Sequence, residues 1–280
     1  MPDILSVHSA SQPGKPALIE GERVATYASY NERANRSANA FVGLRVSTGE
    51  QVAVQAFNSI EAFEVAAGLR KIQAVGVPIN FRLRGEELAY VINDSGARVV
   101  CAGPGFVEHL DAARPHIEGE RRFVALGGGS NSTAPSLWVT FEELLAGASA
   151  DEPPSEGVGG LGATMIYTSG TTGRPKGAYR PQGIPLEHVF QSIQLFDLRP
   201  DDVHLMAGPG YHSAVGFFCA LTTACGGTVV IMPKFDPEDA LRLIEQHRVT
   251  TTFMAPTLLQ RIMDLPKRSG GDTTSLRCEG

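Results

Sequence analysis

Positive charge is scarce in this chain. Its 280 residues carry 24 Lys and Arg against 30 Asp and Glu, a formal charge of -6. A protein that works on a phosphate backbone carries a basic stripe, so nucleic acid is not the expected partner. Cysteine is scarcer still. Cys101, Cys219, Cys225 and Cys278 form no CxxC pair and have no His at metal-ligand spacing. That excludes a disulfide framework and a zinc site from expectation and points to a reducing, cytoplasmic setting. Met1 to Ala10 lacks a basic segment followed by an apolar stretch, so no secretory signal is expected. Ser213 to Met232 has the length to span a bilayer, but Gly226 and Gly227 divide it. It reads instead as a buried apolar helix followed by a β-branched strand, Thr228 to Ile231, with no transmembrane segment.

What is present is an ordinary balance for a globular chain, 42% hydrophobic and 19% charged. Ala17 to Glu20 and Arg23 to Tyr27 flank Gly21 as a small hairpin. Tyr30, Ala34, Ser37, Ala38 and Phe41 then recur at spacings of three and four, predicting a helix that stops near Gly43. Strands follow at 51–56, 74–78 and 98–101, alternating with helices at 60–72 and 84–95. The alternation resumes with a strand at 163–167, a helix at 187–196, a strand at 203–206, a helix at 237–247, a strand at 250–254 and a helix at 256–265. This order predicts an α/β fold of parallel βαβ units with helices on both sheet faces. No repeat of fixed period occurs.

Residues 127–136 (GGGSNSTAPS) and 151–160 (DEPPSEGVGG) are poor in apolar side chains, and each reads as an exposed loop or linker. The second is the internal boundary, dividing the chain into halves of about 1–150 and 161–280. The acidic pairs Glu86-Glu87, Glu142-Glu143 and Asp201-Asp202 read as solvated helix or turn positions rather than acid/base dyads.

The chemistry concentrates after the strand Ala163 to Tyr167, which runs directly into Thr168-Ser-Gly-Thr-Thr-Gly-Arg-Pro-Lys-Gly177. Gly170 and Gly173 let the backbone approach a ligand closely. The hydroxyls of Thr168, Ser169, Thr171 and Thr172 offer donors, and Arg174 and Lys176 supply positive charge. Many weak donors with one or two cations suit a polyphosphate. The common P-loop needs Gly-Lys followed by Ser or Thr, whereas Lys176 stands between Pro175 and Gly177, so that fingerprint fails. Gly157, Gly159 and Gly162 satisfy GxGxxG, but they precede a strand, the reverse of the dinucleotide-binding context.

YTSGTTGRPKGA, Tyr167 to Ala178, resembles the signature of the adenylate-forming acyl-activating enzymes: acyl-CoA synthetases, luciferases and peptide-synthetase adenylation domains. TYASYNERANRSANA from Thr26, AVGVPINFRLRGEELAYVINDSGARVV from Ala74 and GPGYHSAVG from Gly208 extend the likeness over nearly the whole chain. The resemblance implies the N-terminal AMP-binding domain of the acyl-CoA synthetase-like fold, with mostly parallel sheets flanked by helices. It implies joining of a carboxylic acid to ATP and transfer of the acyl group to a thiol, usually coenzyme A. Thr168, Ser169, Gly170, Thr171, Thr172, Gly173 and Lys176 would hold the β- and γ-phosphates, with Lys176 and Thr168 catalytic and Thr168 assisting Mg²⁺. Tyr211 and His212 match an aromatic position near the acyl group. Phe217, Met254 and Thr257 could line an apolar acid pocket, although packing alone accounts for Phe217 and Met254.

Members of that family continue with an aromatic-Gly-x-Thr-Glu motif, a ribose-gripping Asp and a mobile C-terminal domain, and none of these precedes Gly280. The expectation is therefore a truncated N-terminal portion with low or no ligase activity by itself. A fatty acid is the first substrate reading. A catalytically silent nucleotide- or partner-binding module is the second, and an aryl acid or a different thiol acceptor is the third.

Overall fold

The computed structural model describes residues 3–127, 137–154, 160–168, 175–266 and 271–277. In chain order the elements are α1 (Ile4–Ser11), β1 (Pro16–Glu20), β2 (Arg23–Thr26), α2 (Tyr27–Gly43), β3 (Gln51–Gln55), α3 (Ile60–Lys71), β4 (Val75–Pro78) and α4 (Gly85–Ser95). Then come β5 (Val99–Ala102), α5 (Val107–Ala113), β6 (Arg122–Ala125), β7 (Trp138–Thr140), α6 (Phe141–Ala146), β8 (Ala163–Thr168) and β9 (Lys176–Arg180). The chain closes with α7 (Leu186–Leu195), β10 (Val203–Met206), α8 (Ser213–Cys225), β11 (Thr228–Ile231), α9 (Pro237–His247), β12 (Thr251–Thr252) and α10 (Pro256–Met263). The α/β class with mostly parallel sheets agrees with the sequence reading.

Two compact units emerge. The first holds Met1–Asp3, Asn31–Phe57 and Glu61–Leu186; the second holds Ile4–Tyr30, Asn58–Ile60 and Glu187–Gly280. Both are discontinuous in sequence, and the strand pair β8–β9 groups with the first rather than with the residues that follow it. Nor are residues 151–154 a free tether. Asn39 donates to the carbonyls of Ser149 and Asp151, Asn35 to that of Ala150, and the buried Lys71 ammonium lies 2.6 Å from Glu152.

The first unit is built on a seven-stranded sheet, β7-β6-β5-β3-β4-β8-β9, parallel except for the edge strand β9. Its inner strands β3, β5 and β6 are short and largely apolar because both faces are covered. Ala53, Val100 and Phe123 pack on one face with Leu88, Val91 and Ile92 of α4 and Leu110 of α5. Their strand neighbours Val52, Cys101 and Val124 point the other way, onto Phe41 of α2, Val65 and Leu69 of α3, and Phe141 of α6. This is the period-2 alternation of a pleated strand. A capping box, Thr140 with Glu143, opens α6.

The second unit carries β12-β10-β11-β1-β2, in which only the β1–β2 hairpin is antiparallel. The segment 213–232 divides as its glycines predicted. Gly226 takes a left-handed φ of 91° at the end of α8, and all four residues of β11 are buried. No helix among the described residues is long and apolar enough to cross a membrane. Donors gather at the C-terminus of α8, where the Tyr27 hydroxyl gives to Gly227 O at 2.7 Å and the Lys15 ammonium to Gly226 O at 2.6 Å. Asp202 departs from the sequence reading. It is 3% exposed and accepts from Arg277 Nη2, Thr250 Oγ1 and the Arg199 N–H, each at 2.7 Å, so it is an internal tie rather than a solvated turn residue.

Candidate active site

In the first unit, β8 ends and β9 begins at the carboxyl edge of the sheet, where parallel α/β sheets place ligands. The two strands pair from Thr164↔Arg180 to Thr168↔Lys176, so Thr168 and Lys176 are directly opposite each other. Both side chains are exposed. Ser169, Gly170, Thr171, Thr172 and Gly173 lie outside the described residues. Lys176, read from sequence as part of the loop, is the first residue of a strand, which fixes its backbone.

Helix α4 braces both sides of the loop. The Tyr167 hydroxyl, one residue before Thr168, donates to Asp94 Oδ2 at 2.6 Å. The Tyr90 hydroxyl lies 3.3 Å from the carbonyl of Pro175, one residue before Lys176, and 3.5 Å from Asp94 Oδ1, with one proton for the two acceptors. Burial, reinforced by the bond to Asp94, pushes the Tyr167 phenol far above its ordinary value and keeps it a donor. Gly177 stands opposite Tyr167, and a Cβ there would fall 2.3 Å from Met165 Cε and 3.1 Å from the Tyr167 ring. The Gly of Pro-Lys-Gly thus makes room for the braced tyrosine. At the base of the hairpin, Leu161 N–H donates to Ile184 O at 3.0 Å, and a Cβ on Gly183 would fall 2.2 Å from Gly162 O. Gly162, with φ 77°, therefore serves a backbone crossing, not a nucleotide fingerprint.

In the second unit, Gly208 to His212 follow β10, and Met254 to Thr257 follow β12. Since β10 and β12 are parallel neighbours, both segments leave from the same sheet edge. Asn58, 8% exposed, holds the first of them. Its amide donates to Gly208 O and Met232 O, each at 2.9 Å, and its Oδ1 accepts the Gly210 N–H at 2.8 Å. A Cβ at Gly208 would meet Val215 at 2.7 Å, and one at Gly210 would meet Met206 at 2.8 Å, so the glycines permit close packing. Tyr211 is half-buried and its ring lies 4.5 Å from that of His212, the exposed residue that opens α8. Phe217 is half-buried on α8, its ring 5.8 Å from Phe218. Met254 packs on the apolar cluster of Leu205, Val230 and Ile244, and Thr257 is exposed in the first turn of α10.

Asn58, Tyr90 and Asp94 carry no sequence motif that marks them. Asn58 sits alone between a strand and a helix, and the partners of Tyr90 and Asp94 are more than seventy residues away. The i, i+4 spacing of Tyr90 and Asp94 was the only local signal. Among the described residues no group of three or more His, Cys, Asp or Glu side chains could hold a metal ion.

Residues 5–278 match the family of AMP-binding enzymes. The chain is 33% identical over 274 residues to the indoleacetate–CoA ligase of Aromatoleum aromaticum, covering 96% of this chain and 52% of that protein. It is 32% identical over 252 residues to the long-chain-fatty-acid–CoA ligase FadD13 of Mycobacterium tuberculosis, covering 90% and 48%. Among solved structures it resembles the inhibitor-bound N-terminal domain of FACL13 from Mycobacterium tuberculosis, with a TM-score of 0.80 at 30% identity over 98% of this chain and 67% of that one. The chain spans about half the length of the curated relatives it matches.

Proposed function

The chain belongs to the AMP-binding enzyme family, and on that footing we propose that it carries the phosphate-holding part of an enzyme that activates a carboxylic acid with ATP. The acid carboxylate attacks the α-phosphorus, pyrophosphate leaves, and the acyl-adenylate passes its acyl group to the thiol of coenzyme A. The observation that carries this reading is the pairing of Thr168 with Lys176 across a Gly- and hydroxyl-rich hairpin loop.

In this reading Lys176 stabilises the charge that develops on the leaving pyrophosphate, from a position fixed by the β8–β9 ladder. Thr168, Ser169, Gly170, Thr171, Thr172 and Gly173 supply hydroxyl and backbone donors. Thr168 offers one exposed oxygen to Mg²⁺, an ion that takes few protein ligands when phosphates supply the rest. The substrate is its own nucleophile, so the protein orients and neutralises rather than supplying a base. Tyr211, His212, Phe217, Met254 and Thr257 are proposed to line the acid site. A fatty acid remains the first reading. An aryl acid is the second, supported by the indoleacetate–CoA ligase relative and by the paired rings of Tyr211 and His212. A reducing compartment is supported by Cys101 and Cys219, both buried free thiols.

The test is ATP–pyrophosphate exchange by the purified chain with a panel of fatty, aryl and amino acids. Acid-dependent exchange that Lys176→Ala abolishes supports the reading and assigns the acid class. Folded protein that exchanges with none of them assigns the chain to a silent nucleotide- or partner-binding role instead.

A further inference from the structure

A basic cavity lies in the first unit, at the opposite edge of its sheet from Thr168. A cavity of about 530 Å³ opens at the amino ends of β5 and β6, lined by Arg45, Arg98, Arg114, Arg121, Arg122 and Glu120. Glu50 lies 2.7 Å from Arg98 and Asp111 lies 2.8 Å from Arg114. Five cations against these three carboxylates leave an excess of two positive charges, in a chain whose formal charge is -6. Arg45, Arg121 and Arg122 have no carboxylate partner among the described residues.

Arg45, Arg98 and Arg122 are exposed, but not every guanidinium nitrogen of this face reaches water. Arg114 Nε and Nη2 and Arg121 Nε are buried with no hydrogen-bond partner among the described residues. Asp111 Oδ1, which accepts from Trp138 Nε1 at 3.0 Å, also lies 2.8 Å from Arg114 Nη2 and supplies a counter-charge there, while Arg114 Nε and Arg121 Nε keep no such neighbour. The Arg114 guanidinium is held in place over the Phe123 ring, 4.4 Å from its centroid. Arg45 occupies a left-handed φ of 63° at the turn after α2, a conformation that a glycine would adopt at lower cost. Buried charged donors left unpaired are destabilising, and they cluster where an anion completes them.

We propose that this cavity binds a small polyphosphate, an anion bearing two or more phosphoryl groups. Guanidinium forks match phosphoryl oxygens two at a time, and the charge excess calls for more than one anionic group. The volume falls in the range of small-molecule sites. The ring of Phe123 is covered by Arg114, which leaves recognition to the phosphates rather than to a base. This site is independent of the Thr168–Lys176 loop and stands whether or not that loop holds ATP.

The test is calorimetric titration of inorganic tripolyphosphate, with orthophosphate alongside, into the purified Lys176→Ala chain, so that the hairpin loop is disabled. Saturable binding of tripolyphosphate, weaker for orthophosphate and steeply reduced by salt, is expected. Arg45→Gln with Arg121→Gln weakens it by at least about tenfold; these two side chains neither stack on Phe123 nor pair with a carboxylate, and circular dichroism checks that the fold is kept. Absence of saturable binding, or binding that the two substitutions leave unchanged, overturns the proposal.

Discussion

Asn58 makes three hydrogen bonds from one buried side chain, so its replacement is a sharp test of how the 208–212 segment is held. Each such bond contributes about 1 kcal/mol net, so Asn58→Ala is expected to cost the second unit about 3 kcal/mol. Asn58→Asp is nearly the same size but reverses the chemistry on one side. Its carboxylate still accepts from the Gly210 N–H, yet it now presents an acceptor to the carbonyls of Gly208 and Met232, where the amide had donated at 2.9 Å. An acceptor facing two acceptors, with a charge buried as well, makes Asn58→Asp the less stable of the two variants at neutral pH. Acidification should recover part of that loss, because the protonated carboxyl regains one donor. Urea unfolding followed by far-UV circular dichroism, at pH 7 and pH 5, reads both effects. The reasoning fails if Asn58→Ala costs less than about 1 kcal/mol, or if Asn58→Asp at pH 7 is as stable as the wild-type chain.

Burial holds the His204 imidazole at about 4, against an ordinary 6.5, so the native state stays neutral while the unfolded chain takes up a proton. Stability from this residue is complete above about pH 6.5 and is lost as pH falls through about 4, a change of roughly 3 kcal/mol, and His204→Gln should flatten the acid limb of a Tm–pH curve. Asp94→Ala and Tyr167→Phe each remove one end of the same 2.6 Å bond. Each should weaken pyrophosphate binding severalfold, and the pair together no more than Asp94→Ala alone, which also frees Tyr90; additive losses in a calorimetric double-mutant cycle would refute the brace. Gly183→Ala drives a Cβ to 2.2 Å from Gly162 O at a left-handed φ of 62°, and thermal melting should show a loss of at least about 2 kcal/mol.

Sequence periodicity revealed the long elements because they bury one face. Tyr30, Ala34, Ser37, Ala38 and Phe41, picked out by spacing alone, are all buried along α2. It missed the short elements α1, α5, β6, β7 and α6, and β9, an exposed edge strand with no apolar alternation that exists only through its pairing with β8. The segment 250–254 shrank to the two-residue β12, since its register runs out after two pairs with β10. The candidate site was legible where it is local, in the run from Tyr167 to Ala178. What holds that run and the 208–212 segment was not, because Asp94 and Asn58 act across long stretches of chain. The interleaving of the two units is hidden for the same reason: it arises from strand β1 pairing in parallel with β11, about two hundred residues on.

In the proposed function, the loop between Thr168 and Lys176 holds the terminal phosphates of ATP. Phosphorus NMR of MgATP titrated with the purified chain tests it most directly, using a chain that carries Arg45→Gln and Arg121→Gln so that only the loop is read. The β- and γ-phosphate resonances are expected to shift and broaden on binding, and adding Lys176→Ala to weaken the effect by about tenfold or more. Resonances that respond identically with and without Lys176 would contradict it.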